Sequence, residues 1–70
     1  MRLSIELDRE EDGRWIADIP DLPGVMVYAA SEDEALQKVK ALALHLIADK
    51  IEAGEVDFID GVAFVPSRAA

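Results

Sequence analysis

At the start of this 70-residue chain, over residues 2–8, apolar residues alternate with polar ones, and from Ser31 they recur every three or four positions, so the chain divides into a sheet-forming part and one long helix. In residues 2–8, Leu3, Ile5 and Leu7 fall on one side and Ser4, Glu6 and Asp8 on the other, the pattern of a half-buried strand. Residues 9–13 are charged and end in Asp12-Gly13, a pair that accepts positive φ in a hairpin connection. Residues 14–19 therefore form a second strand antiparallel to the first. Pro20-Asp21-Leu22-Pro23-Gly24 cannot continue a ladder, because two of its residues lack an amide hydrogen and its glycine opens turn geometries that other residues resist. It is a rigid loop, and the β-branched start of residues 25–30 marks a third strand beyond it.

Ser31-Glu32-Asp33-Glu34 matches a capping box: the serine oxygen accepts the amide three residues on, Glu34 reaches back, and acidic side chains sit beside the positive helix end. Ala35, Leu36, Val39, Leu42, Ala43, Leu46, Ile47 and Ile51 form the apolar stripe up to Gly54, the residue type best suited to a left-handed C-cap. A helix over residues 32–53 is about 33 Å long. In residues 56–65, Phe58 and Ile59 are apolar, Asp60-Gly61 signals a turn, and Val62-Ala63-Phe64-Val65 reads as a short last strand that Pro66 ends. The expectation is one domain over residues 1–66 with a frayed tail over 67–70. Its class is α+β, β-β-β-α-β, a small antiparallel sheet with one long helix on one face.

Two layers leave one sheet face uncovered. With Leu3, Ile5, Leu7, Trp15, Ala17 and Ile19 turned to the helix, Ile16, Met26 and Tyr28 stand on the open side among Glu6, Asp8, Arg14 and Asp18. Alternation says which residues share a face and leaves open which face is inside. The helix also carries apolar Ala41, Leu44 and Ala48 off its main stripe, a second packing surface. With no cysteine and one histidine, the chain has no disulfide framework or thiolate metal site to supplement a core that supplies only a few kcal/mol. At 51% hydrophobic residues, the expected remedy is burial against another chain, a homo-oligomer with Ile16, Met26 and Leu44 in its interface.

Seven basic and 15 acidic residues give a formal net charge of −8. A field of that sign repels phosphate backbones and attracts basic proteins, and acidity also serves solubility alone. Direct nucleic-acid binding is not expected. Residues 1–6 alternate instead of forming an apolar run, and no 18-residue apolar stretch occurs, which points to a cytoplasmic protein without a membrane segment.

No serine lies in a glycine-flanked elbow: Ser4 is on a strand, Ser31 at a helix cap and Ser67 in the tail. His45 falls on the polar flank of the helix, where an i,i+4 pair with Asp49 is the ordinary explanation. Glu6, Asp8 and Asp18 could cluster around a divalent ion as in two-metal nucleases, but solvated charge on an outer sheet face is the ordinary explanation of them. Gly13, Gly24, Gly54 and Gly61 are each isolated at a turn, so there is no phosphate loop. The chain does not read as an enzyme, and no catalytic residue, metal or cofactor is expected.

A loop and two surfaces remain. As a connector, residues 20–24 need no partner; as a pre-organised element, they would dock at reduced entropy cost. The candidate partner-binding residues are Trp15, Pro20, Asp21, Leu22, Pro23, Gly24 and Tyr28, aromatic side chains at a small sheet being common in interfaces.

Glu11-Asp12-Gly13-Arg14-Trp15-Ile16-Ala17-Asp18-Ile19-Pro20-Asp21-Leu22-Pro23-Gly24-Val25 resembles the signature of HicB-like antitoxins, an acidic turn, an aromatic alternating strand, Pro-Asp-Leu-Pro-Gly and a third strand. Ala30-Ser31-Glu32-Asp33-Glu34-Ala35-Leu36 is similar to that family's helix start, and the likeness runs over residues 2–66. The resemblance implies a partial ribonuclease-H-like fold without a catalytic acidic set. It also implies a partner, a small basic HicA-type ribonuclease that cleaves mRNA and is inhibited when its active site is covered, and association of the antitoxin into dimers or tetramers. Many members continue into a DNA-binding helix-turn-helix or ribbon-helix-helix segment, which these 70 residues do not contain, so no direct DNA binding is expected of them. An orphan homo-oligomeric module with no toxin is the alternative.

Overall fold

The computed structural model describes residues 1–56 and 59–68. Strands β1 (Arg2–Arg9), β2 (Trp15–Asp18) and β3 (Met26–Ala29) are followed by helix α1 (Glu32–Glu52) and strand β4 (Ala63–Arg68). The α+β class and the order β-β-β-α-β are as the sequence indicates. The sheet order is β3-β2-β1-β4, so α1 carries the chain from one edge of the sheet to the other. Two reversals make β3 run parallel to β1, and the helix returns the chain to the starting end, so β4 also runs parallel to β1. The sheet is therefore mixed, not antiparallel throughout.

Two expectations at the end of the chain are corrected. Pro66 does not end β4; it sits inside the strand, opposite Ile5. The Ala63 N–H donates to the Met1 carbonyl at 2.8 Å, and strand amides alternate in direction, so residues 65 and 67 also point at β1 while the nitrogen of Pro66 points out from the sheet edge. No ladder bond is lost there. Ser67 and Arg68, expected to fray, pair opposite Glu6 and Leu7. The expectation for Phe58 and for tail residues 69–70 falls outside the described residues.

The helix covers the face that alternation singles out. Leu3, Ile5, Leu7, Ala17 and Ile19 are buried beneath Ala35, Val39, Ala43 and Ile47 of α1, with Val25 and Ala29 beside them. Small and large residues alternate along that helical row, and the two alanines let α1 sit close over β2 and β3. The buried stripe is narrower than the apolar pattern: Leu42 and Ile51 are 37% and 51% exposed. A single helix over a small sheet buries one row fully; Leu36 and Leu46 beside it pack half-buried against the core, and the outer flanks of the stripe stay in water.

Local chemistry fixes the helix ends. Ser31 Oγ accepts the Glu34 amide at 3.2 Å, and the Glu34 carboxylate turns to Lys38 Nζ at 2.9 Å. At the other end Gly54 has φ of 73°, its N–H donates to the Ile51 carbonyl, and the Glu55 N–H donates to the Lys50 carbonyl, a Schellman closure.

Candidate protein interface

The loop between β2 and β3 is two consecutive turns. The Leu22 N–H donates to the Ile19 carbonyl at 2.9 Å and the Val25 N–H to the Leu22 carbonyl at 3.1 Å, which puts Pro20 and Pro23 each at the second position of a turn. That position requires the φ that proline already holds. Gly24 follows Pro23 with φ of 86°, the left-handed third position of a type II turn. The Asp21 carboxylate accepts the Ser4 amide at 3.2 Å. Extending the β1–β2 register places Ser4 opposite Pro20, so the aspartate takes an amide that the interrupted strand leaves over.

The side chain at the centre of this loop points inward. Leu22 is 9% exposed and belongs to the core, so it anchors the loop, and what remains of its surface only lines the depression beside it. Pro20, Asp21, Pro23 and Gly24 are exposed, and Pro20, Pro23 and Gly24 line an open depression of about 420 Å³ together with Asp18 and Met26.

The depression continues onto the uncovered face of the sheet. The registers set Tyr28 beside Ile16 and Ile16 beside Asp8, and in the next row Met26 beside Asp18, Asp18 beside Glu6 and Glu6 beside Ser67. Met26 and Tyr28 are 50% and 42% exposed. The Arg14 guanidinium lies 4.7 Å from the Tyr28 ring centre and its Nε donates to Asp12 at 2.7 Å. The Arg14 amide, which donates to Asp12, is the main cause holding that carboxyl below the usual aspartate range, aided by the guanidinium. Glu6 and Asp18 stand directly across a strand pair, an arrangement that costs stability when nothing cationic lies over it. Among the described residues no group of three or more histidine, cysteine, aspartate or glutamate side chains is placed to hold a metal ion.

Not every expected contact residue joins this surface. Trp15 has the opposite parity from Tyr28: it faces the helix side, half-buried against the core, with the Arg9 guanidinium 5.7 Å from its ring. Ile16 and Met26 share the open face, but Leu44, 48% exposed, is on the helix, so these three do not form one interface within a single chain. His45 is exposed and makes no bond to Asp49. Val65, paired with Ser4 and half-buried, is an open-face residue that sequence reasoning missed; its parity follows only once β4 is known to pair with β1.

Among the described residues no helix is long and apolar enough to cross a membrane. Fold and surface together define a small α+β domain, one sheet face covered by a helix and the other an acidic and apolar surface bordered by a stiff loop. A UPF0150 protein of Archaeoglobus fulgidus is 39% identical to the chain over 57 residues, which span 79% of this chain and 83% of that protein. The chain belongs to the UPF0150 family, which is related to HicB-like proteins. No family profile and no solved structure matches it.

Proposed function

We propose that this protein is an antitoxin-like inhibitor of the HicB kind, which binds a small basic HicA-type ribonuclease in the cytoplasm and sterically blocks it. The observation that carries the reading is the make-up of the uncovered sheet face, where Glu6, Asp8 and Asp18 stand beside Ile16, Met26 and Tyr28. A ribonuclease holds phosphates with cationic groups, and a face of carboxylates competes with RNA for those groups. Exposed methionine and tyrosine supply contact area that needs no charge partner. The depression at Asp18, Pro20, Pro23 and Met26 has apolar walls and one carboxylate, which suits the aliphatic stem and charged head of a lysine or arginine. The backbone of residues 20–24 is already set by two turns, so docking orders little. The role is one of binding, without a catalytic residue, metal or cofactor of its own.

The test is a pull-down from the native cell lysate, followed by an RNA-cleavage assay of the bound fraction before and after separation. The expected result is a small basic ribonuclease, silent in the complex and active when freed, that the Glu6→Lys/Asp18→Lys double variant no longer retains. A ribonuclease held equally well by the double variant, or no ribonuclease at all from cells that make the protein, overturns the reading.

A further inference from the structure

We infer that β3 is the contact edge of a two-fold dimer, in which the β3 strands of two copies pair antiparallel into one continuous eight-stranded sheet. The sheet has two edges, and they are built differently. On β4 the nitrogen of Pro66 faces outward and blocks extension at that edge. On β3, Ile19 N–H donates to the Val25 carbonyl at 3.0 Å, so by alternation Val25, Val27 and Ala29 direct their backbone groups at β2. Met26 and Tyr28 then direct their N–H and C=O groups away from the sheet, with no partner among the described residues. The strand itself holds no proline and no charged residue, the nearest charge being the Arg14 guanidinium over the Tyr28 ring, and among the described residues no strand pairs with its outer side.

The surroundings favour a second copy over a basic partner. Residues 22–31 form the longest uncharged run in a chain of net charge −8. This is where two such chains approach with least repulsion, and where a cationic partner finds least to bind. Apolar surface borders the edge on both sides of the sheet. On the open side are Met26 and Tyr28, half or nearly half exposed. On the other is Leu42: Lys40 lies 6.0 Å from the Phe64 ring of β4, and two residues further turn the helix about 200°, so Leu42 occupies the opposite flank, above β3.

One register uses both outward residues. With Met26 opposite the partner copy's Tyr28 and the reverse, four main-chain hydrogen bonds form and the two Val27 residues meet on the axis as a non-hydrogen-bonded pair, with Cα atoms about 4.5 Å apart. Glu6, Asp8 and Asp18 remain uncovered while Met26 and Tyr28 border both surfaces, so the ribonuclease reading is tested at Glu6 and Asp18, the dimer at Val27, and the two can fail separately.

The chain has no cysteine, which makes Val27→Cys a register-specific probe, since that Cα separation lies within the range a disulfide spans. Air oxidation is expected to give a covalent dimer of twice 7.7 kDa under non-reducing conditions, whereas Leu44→Cys on the outer helix stays monomeric. Sedimentation equilibrium of the cysteine-free protein provides the second measurement. The parent chain is expected to dimerise, and Met26→Lys, which adds a charge at the edge, to sediment as a monomer with an unchanged circular dichroism spectrum. A parent chain that is monomeric up to millimolar concentration, a Met26→Lys variant that still dimerises, or cross-linking through Leu44→Cys in place of Val27→Cys overturns the proposal.

Discussion

Replacing Leu22 by alanine tests whether the loop is a surface feature or a part of the core. The side chain is 9% exposed, packed between the sheet and the loop that carries it, and the substitution removes three carbons. At about 0.8 kcal/mol for each buried carbon, the transfer loss is roughly 2.4 kcal/mol. A residual cavity adds to that, though a loop site collapses more readily than a strand site, so about 2.5–3 kcal/mol is expected. A chain of this length has about 3.5–10 kcal/mol to lose. With a urea dependence of about 1 kcal/mol per molar, the unfolding midpoint falls by roughly 2.5 M. In a thermal melt the same loss appears as a drop of roughly 15–20 °C. The comparison is Asp21→Ala, one residue away and exposed, where loss of one water-accessible hydrogen bond to the Ser4 amide costs about 1 kcal/mol or less. A Leu22→Ala protein that unfolds at the parent midpoint but no longer retains its partner would refute the assignment of Leu22 to the core and return it to the contact surface.

Two further outcomes follow from local geometry. Gly24→Ala should cost about 1–2 kcal/mol in the same urea titration, through conformation alone, since φ is 86° and an added Cβ meets no atom within 4 Å; an unchanged midpoint would show that the type II turn does not persist. For Asp12, whose carboxyl titrates below its ordinary range in the folded state, the stabilising contribution is fully present above the unfolded aspartate pKa and lost as pH falls through the lower folded value. The midpoint difference between the parent and Asp12→Asn should therefore shrink across that acidic window, and a difference independent of pH would exclude the charge as its source.

The local rules of polypeptide chemistry were enough for much of this molecule. Alternation in β1, the Asp12-Gly13 turn, the serine cap and the Gly54 stop each depend on neighbours a few residues away, and each is where residue type alone puts it. The parity of Ile16 against Ala17 and Ile19 was legible for the same reason, while the β2–β3 register places Met26 and Tyr28 on its face. The stiffness of residues 20–24 was legible as well, because proline and glycine act through their own backbone dihedrals.

What local pattern could not decide was anything that depended on a partner distant in the chain. Pro66 looks like a strand terminator until β4 is seen at an edge, with that nitrogen turned outward. Leu22 looks like loop surface until the two turns around it aim the side chain into the core. Leu42 and Ile51 belong to the apolar stripe by period and to the surface by packing, because beyond the buried row and the half-buried Leu36 and Leu46 the helix surface curves away from the sheet. Sequence periodicity determined which residues share a face; the order β3-β2-β1-β4 decided which edge is blocked, which is open, and which carboxylates stand side by side, since pairing between distant segments is a property of the folded chain and of no segment alone.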